Sequence, residues 1–167
     1  MEFQHSQASH CESGVMSAML RHHGLPISEP MTFGLASALS FAYLPFVKIN
    51  GLPLVAYRMP PKFIIKGLQK PLALKMRFET FRNQQAGVRR LDELLADGQV
   101  VGMQTSVFWL PYMPEDLRFH FNAHNVLAFA KDAASGDYHL SDPVVETAVT
   151  CPADALQRAR FAKGALA

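Results

Sequence analysis

The sequence predicts an α+β fold in which an N-terminal helix packs on a mainly antiparallel sheet. Three patterns point there. Val15, Met16, Met19 and Leu20 fall on one helical face that ends at Gly24, a natural residue just past a helix end. Asn50-Gly51, the favoured two-residue hairpin turn, joins two strand-like runs. Late in the chain, strand-like runs alternate with the turn signals Ala134-Ser135-Gly136-Asp137 and Asp142-Pro143.

In chain order, residues 12–23 form the first helix. A link through Leu25-Pro26-Ile27 leads to a second helix start, with Ser28 as N-cap and Pro30 in the first turn. Residues 31–40 are small and apolar, and 41–49 and 52–58 read as the two hairpin strands. After Pro60-Pro61, residues 62–70 make a helix with Lys62, Lys66 and Lys70 on one face, followed by a strand over 74–78. Val88, Leu91, Leu94 and Leu95 mark a helix closed by Asp97-Gly98, and 100–107 is a core strand. A proline-punctuated loop over 109–117 carries Trp109, Tyr112 and Met113, which could line a pocket or simply be half-buried loop aromatics. Strands follow over 119–130, 138–141 and 144–149, then a short amphipathic helix from about Pro152.

At 167 residues the chain is most economically one domain, 1–167, without internal repeat or linker. Its 49% hydrophobic and 18% charged content excludes a disordered chain, and a net charge of +2 argues against nucleic acid as a partner. The most membrane-like stretch, 31–47, is short and broken by Thr32, Ser37, Ser40 and Pro45. It reads as buried core, with no membrane partner. Two cysteines separated by most of the chain, Cys11 and Cys151, make neither a disulfide framework nor a zinc-ligand spacing, so a reducing, cytoplasmic setting is expected. The N-terminus, with Glu2 and two histidines, is not a signal peptide.

Cys11 stands at the mouth of the first helix, where unpaired N–H groups and the helix dipole favour a thiolate over the ordinary thiol of pKa roughly 8.5. A nucleophilic cysteine needs a base and an orienting group, which can lie far away in sequence. Strand alternation puts His120, Asn122, His124, Val126 and Ala128 on one face and Asn125, Leu127 and Phe129 on the other. His124 enters a strand that becomes wholly apolar, and Asp142, at the end of the returning strand, could bond its ring. Cysteine, histidine and carboxylate so arranged suit thiol-based acyl transfer. His120 and His124 would lie about 13 Å apart on a strand, too far to share a metal ion, and no metal is expected. His22 and His23 read as helix-end residues that favour the negative end of the dipole.

His10-Cys11-Glu12-Ser13, Gly24 thirteen residues after the cysteine, residues 25–34 (LPISEPMTFG) and Ser141-Asp142-Pro143 resemble the N-terminal domain family of butirosin biosynthesis protein H. The similarity runs over roughly 8–145. That family is related to the papain-like superfamily and is similar to the peptidases that trim double-glycine leaders. The resemblance implies a papain-like fold with Cys11 as nucleophile, His124 as general base and acid, and Asp142 as orienter of the imidazole. It implies a cysteine-dependent acyltransferase of secondary metabolism, moving an acyl or aminoacyl group from a carrier-protein thioester to an amine. No cofactor is implied beyond the 4'-phosphopantetheine carried by such a donor.

The partners implied are an acyl carrier protein and a small-molecule amine or a peptide. The lysine face at 62, 66 and 70, with Lys75 and Arg77, could receive an acidic carrier or be a solvated surface. Papain-like sites usually place an oxyanion-binding glutamine about six residues before the cysteine, but His5 stands there, leaving Gln4 or Gln7 beside it as candidates. His10 is either a fixed feature of the motif or a structural hydrogen-bonding residue. Family members commonly continue into a second domain, so this chain is expected to be a compact variant or part of a longer protein. Two rival readings share the fold: a cysteine peptidase or amidase with the same triad, and a binding module that has lost activity.

Overall fold

The computed structural model describes residues 2–49 and 51–163. The elements are α1 (Cys11–His22), α2 (Glu29–Leu35), β1 (Leu39–Ile49), β2 (Leu52–Arg58), α3 (Phe63–Gln69), α4 (Gln84–Ala96), β3 (Val101–Thr105), β4 (His124–Lys131), β5 (Tyr138–Ser141), β6 (Val149–Cys151) and α5 (Ala153–Arg160). Strands β3-β4-β5-β6 lie side by side in that order, every pair antiparallel.

Alternation along β4 divides the core in two. Val126 and Ala128 join Met103 and Leu140 beneath α4 and α5, which contribute Leu91, Leu95, Ala155, Leu156 and Ala159. Leu127 points the opposite way, onto Val15 and Ala18 of α1, with Phe3, Met19 and Phe129 around them. The helix can lie close because β3 carries Gly102 beneath it: a Cβ there would stand 3.2 Å from Met19 Sδ and 3.4 Å from Val15 Cγ1. The expected α+β architecture, a helix packed on an antiparallel sheet, is therefore what the chain forms.

The first turn of α1 is buried, so its polar groups need partners inside the protein. His10 is the N-cap, its Nδ1 accepting the Ser13 N–H at 3.4 Å. The Glu12 carboxylate reaches across to α3 and accepts the Lys62 and Ile65 N–H groups, each at 3.2 Å. Lys62, the α3 N-cap residue, has a φ of 70° and offers no side-chain cap, so Glu12 serves as the cap from fifty residues upstream. Ser13 Oγ donates to Glu29 at 2.5 Å and Ser17 Oγ to the Ile27 carbonyl at 2.7 Å, tying in α2. Met16, Ala36, Ala38, Ile64 and Leu68 fill the space among the three helices. Ser28 caps α2 as the sequence predicts, and Gly24 turns the chain out of α1 with a φ of +82°.

Four sequence expectations are corrected. The stretch 31–47 is buried core only in its first part: it supplies α2 and β1, with Thr32, Ala36 and Ala38 buried, but Phe41 and Phe46 are 71% and 79% exposed. The reason is that β1 and β2 pair only with each other, outside the main sheet, which leaves Phe41, Tyr43, Val55 and Tyr57 exposed, with the Phe41 and Tyr57 rings tilted against each other at 5.9 Å. Of the turn between these strands, Asn50 lies outside the described residues, while Gly51 has the positive φ, +80°, that such a turn requires. Residues 74–78 form no strand; Leu74 and Met76 lie half-buried on the helical cluster, but no neighbouring strand takes up their backbone.

The strand expected over 119–130 begins only at His124, because the backbone before it bonds elsewhere: the Phe121 carbonyl accepts from Val107 N–H and the Asn122 carbonyl from the Gln104 side chain. The strand expected over 144–149 shrinks to Val149–Cys151. Asp142 ends the pairing, its Oδ1 accepting Val144 N–H and its carbonyl accepting Val145 N–H in a local turn. Lys62, Lys66 and Lys70 are exposed on α3. Among the described residues no helix is long and apolar enough to cross a membrane.

Gly14, one turn into α1, fixes how closely the loop after Asp142 can approach. A Cβ at Gly14 would sit 2.5 Å from Pro143 Cβ and 2.8 Å from Ala8 Cβ, while the Ala8 N–H bonds the Pro143 carbonyl at 2.7 Å. Gly14→Ala is expected to lower stability by about 1–2 kcal/mol, because overpacking of about 1–3 kcal/mol exceeds the roughly 1 kcal/mol gained in helix propensity. Urea titration of both proteins measures it, and an unchanged or higher midpoint would show that the loop yields freely.

Candidate active site

Cys11 is the first residue of α1, 9% exposed, and its sulfur faces the start of β4. There His124 and Asn125 are both buried. The structure joins His124 to Asp142 as the sequence predicts, with Nε2 2.7 Å from Oδ2. A carboxylate only accepts, so Nε2 carries the proton and Nδ1 is the ring nitrogen left to exchange one with the thiol. The sequence delivers this pair through topology: β4 and β5 run antiparallel with Leu127 opposite Ser141, so the first residue of one strand meets the residue just past the other.

Asp142 is fully buried, and each of its oxygens has a donor. Oδ1 accepts Val144 N–H at 3.1 Å, and Oδ2 accepts the Tyr112 hydroxyl at 2.8 Å in addition to His124. Tyr112 is thus a site residue. The sequence flagged its loop only as a possible pocket lining, and a tyrosine between prolines opposite a buried carboxylate is a signal visible only once the fold is known. Burial and the Asp142 carboxylate push the phenol pKa far upward, so Tyr112 remains a hydrogen-bond donor.

Burial alone would strip charge from both reacting groups, yet their mutual contact wins. For His124, burial lowers the pKa, but the bonds to Asp142 and Cys11 raise it to about 9. For Cys11, burial raises the pKa, but His124 and the N–H groups of Asn125 bring it below the usual thiol range. Both shifts run in the direction that eases proton transfer from the thiol to the imidazole. Cys151, also a free and buried thiol, is instead pushed up to about 12, first by burial and then by Asp137 and Asp154.

The other candidates sort differently. Gln4 and Gln7 are exposed, and no hydrogen bond brings either to Cys11. His5, at the expected glutamine position, is engaged elsewhere: Nε2 donates to the Val145 carbonyl at 3.1 Å and Nδ1 accepts from Ser141 Oγ at 2.7 Å. His10 is the α1 cap, and burial, Arg58 and His124 hold its pKa down at about 4. His120 is not on a strand with His124; it stacks on Phe108 with ring centroids 4.0 Å apart. With Trp109 and Arg158 it lines a cleft of about 520 Å³ that excludes Cys11. His22 packs against Phe3 and His23 closes α1. Among the described residues no group of three potential ligands could hold a metal ion.

Asn125 is the second site residue the sequence reading passed over: its Nδ2 lies 3.9 Å from Cys11 Sγ. A signal was present, since alternation put this one amide on the apolar face with Leu127 and Phe129, the face that meets α1.

A helix-borne thiol set against a histidine and an aspartate on an antiparallel sheet defines a papain-like fold. A crystal structure described as a C39-like peptidase from Bacillus anthracis shares it, with a TM-score of 0.68 and 16% identity over 95% of this chain and 89% of that one. The chain belongs to the butirosin biosynthesis protein H, N-terminal family, whose model matches residues 10–143. No curated protein matches it.

Two measurements probe this electrostatic arrangement. Alkylation of Cys11 by iodoacetamide should reach its plateau below the pH at which a free thiol titrates, and His124→Ala should move the titration upward, with Cys151 silent in both proteins. In Tyr112→Phe, Asp142 loses one donor and its charge bears more heavily on the imidazole. The His124 pKa, followed by NMR of the ring protons, should rise above its value of about 9, and a fall would contradict the arrangement.

Proposed function

We propose that this chain is a cysteine-dependent acyltransferase that moves an acyl or aminoacyl group from a carrier-protein thioester to an amine through an acyl-cysteine. The observation that carries the reading is the Cys11 thiol set beside an imidazole whose far nitrogen is bonded to a buried carboxylate. A thiol that is only packing has no use for such neighbours, which argues against the inactive binding module.

The cycle follows from the atoms present. The Cys11 proton passes to His124 Nδ1, and the sulfur forms a bond to the thioester carbon. The carbonyl π pair moves onto oxygen; as it returns, the C–S bond of the donor breaks and the departing thiolate takes the proton back from His124. The acceptor amine then attacks the acyl-Cys11, losing a proton to His124, and the amide forms as the Cys11 sulfur is released. Thioester donors suit this chemistry because one thioester is exchanged for another at nearly equal energy, and each positioned proton transfer contributes on the order of a hundredfold or more. Asp142 keeps the imidazole in the tautomer with Nδ1 free, and Tyr112 and Val144 hold Asp142.

Membership in a family described by butirosin biosynthesis supports secondary metabolism as the setting. The exposed Lys62, Lys66 and Lys70 offer a basic face for an acidic carrier, and the absence of a disulfide between two free cysteines accords with the cytoplasm. Likeness to a C39-like peptidase favours a second reading, in which water or a peptide amide enters the same cycle. Wild-type protein incubated with an acyl-carrier thioester should form a covalent adduct detectable by intact-protein mass spectrometry and lost in Cys11→Ala. Labelling that persists in that variant would remove Cys11 from the mechanism, and cleavage of peptides in preference to acyl transfer would establish the hydrolytic reading.

A further inference from the structure

Gln4 and Gln7 are exposed and His5 is spoken for, so none of these three is placed to face the charge developed during acyl transfer. Against the sulfur lies Asn125, 7% exposed on a strand face otherwise given to Leu127 and Phe129. Burying a primary amide against a helix is unfavourable unless its hydrogens are used. One Nδ2 hydrogen goes to the Ala123 carbonyl at 3.1 Å. Because that carbonyl can only accept, it fixes which end of the amide is nitrogen. The same nitrogen then stands 3.9 Å from Cys11 Sγ with its second hydrogen available.

We propose that Asn125 is a further catalytic residue, its Nδ2–H group holding the negative charge of the reacting centre, first on the Cys11 sulfur and then on the oxygen of the attacked carbonyl. The second half rests on the acyl-transfer reading above; the first does not. Once sulfur has bonded to the acyl carbon, the new oxyanion is two bonds from sulfur, within the reach of a donor 3.9 Å from that sulfur. The side chain rides on the central region of the sheet, immediately after His124, so base and donor are placed by two consecutive residues of one strand. The amide needs no movement as charge passes from sulfur to oxygen, which is the condition under which such donors are most effective.

Other charged groups lie around the thiol. His124 and Asp142 come from β4 and the end of β5, His10 and Glu12 flank Cys11 in sequence, and Arg58 at the end of β2 acts on both of the latter. All are retained in Asn125→Ala and in the near-isosteric Asn125→Asp. Two probes separate the two halves of the proposal, since alkylation by iodoacetamide forms no oxyanion while acylation by the acetyl thioester of N-acetylcysteamine does.

With the full chain, the Cys11 alkylation titration should rise by about one pH unit in Asn125→Ala, as expected for losing a hydrogen bond to a charged group, and further in Asn125→Asp, whose carboxylate opposes the thiolate. Above both titrations, where sulfur is fully ionised, alkylation should match wild type while acylation falls about a hundredfold. Titrations that coincide with wild type in both variants overturn the assignment to sulfur. Equal losses in alkylation and acylation at high pH overturn the assignment to the oxyanion and mark Asn125 as packing. A wild-type protein that is alkylated and never acylated overturns the acyl-transfer reading and the oxyanion half with it, while the titrations still decide the sulfur half.

Discussion

The structure is governed by a helix whose first turn is buried. Four N–H groups at a helix start have no partners within the helix, and here water does not reach most of them. The residues around Cys11 either cap that turn or tie it to its neighbours. His10 caps the turn from outside, Ser13 binds Glu29, and Glu12 turns outward to cap α3. Gly14 has no side chain because Pro143 occupies the space. The thiol is left as the first-turn group set against His124, on a helix held in place by contacts that take no part in the chemistry. The motif around the cysteine is thus mainly an instruction for three helices to meet.

The same close approach carries the carboxylate. Pro143 rests on Gly14 and its carbonyl is bonded to Ala8, so the residue before it, Asp142, is delivered beside the start of β4 rather than continuing a strand. The turn that stops β5 is made by Asp142 itself, one oxygen holding Val144 and the other free for His124 and Tyr112. A residue that both ends a strand and orients an imidazole cannot be moved without losing both functions. This couples the position of the loop to the proton affinity of the ring.

Where local pattern and tertiary use agree, the sequence was legible. Val15, Met16 and Leu20 on one helical face, Ser28 before Glu29-Pro30, and the runs flanking Gly51 mark α1, the start of α2 and the hairpin nearly to the residue. It failed where an extended segment lacked a partner. Residues 74–78 alternate like a strand because Leu74 and Met76 lie on an apolar surface, and alternation does not report whether another backbone lies alongside. Cys11, His124 and Asp142 could be read from residue type and order, and the structure brings them together. Tyr112 could not, since nothing in a loop aromatic marks it as the partner of a buried carboxylate; Asn125 could, as the polar exception on an apolar face.

The two cysteines of this chain permit a comparison that weighs the causes of thiol acidity. Cys11 opens α1, and Cys151 lies just ahead of α5; both are free and buried. By the argument from helix dipoles each should be acidified, yet one lies below the usual thiol range and the other is driven up to about 12. What separates them is company. For Cys151 burial raises the pKa most, and the carboxylates of Asp137 and Asp154 add to it. Cys11 is opposed by burial as well, but an imidazole and an amide lie against it and reverse the sign. Activation comes from β4, where consecutive residues His124 and Asn125 supply a cation and a neutral donor, and so the chemistry of this fold is set as much by the strand as by the helix that bears the nucleophile.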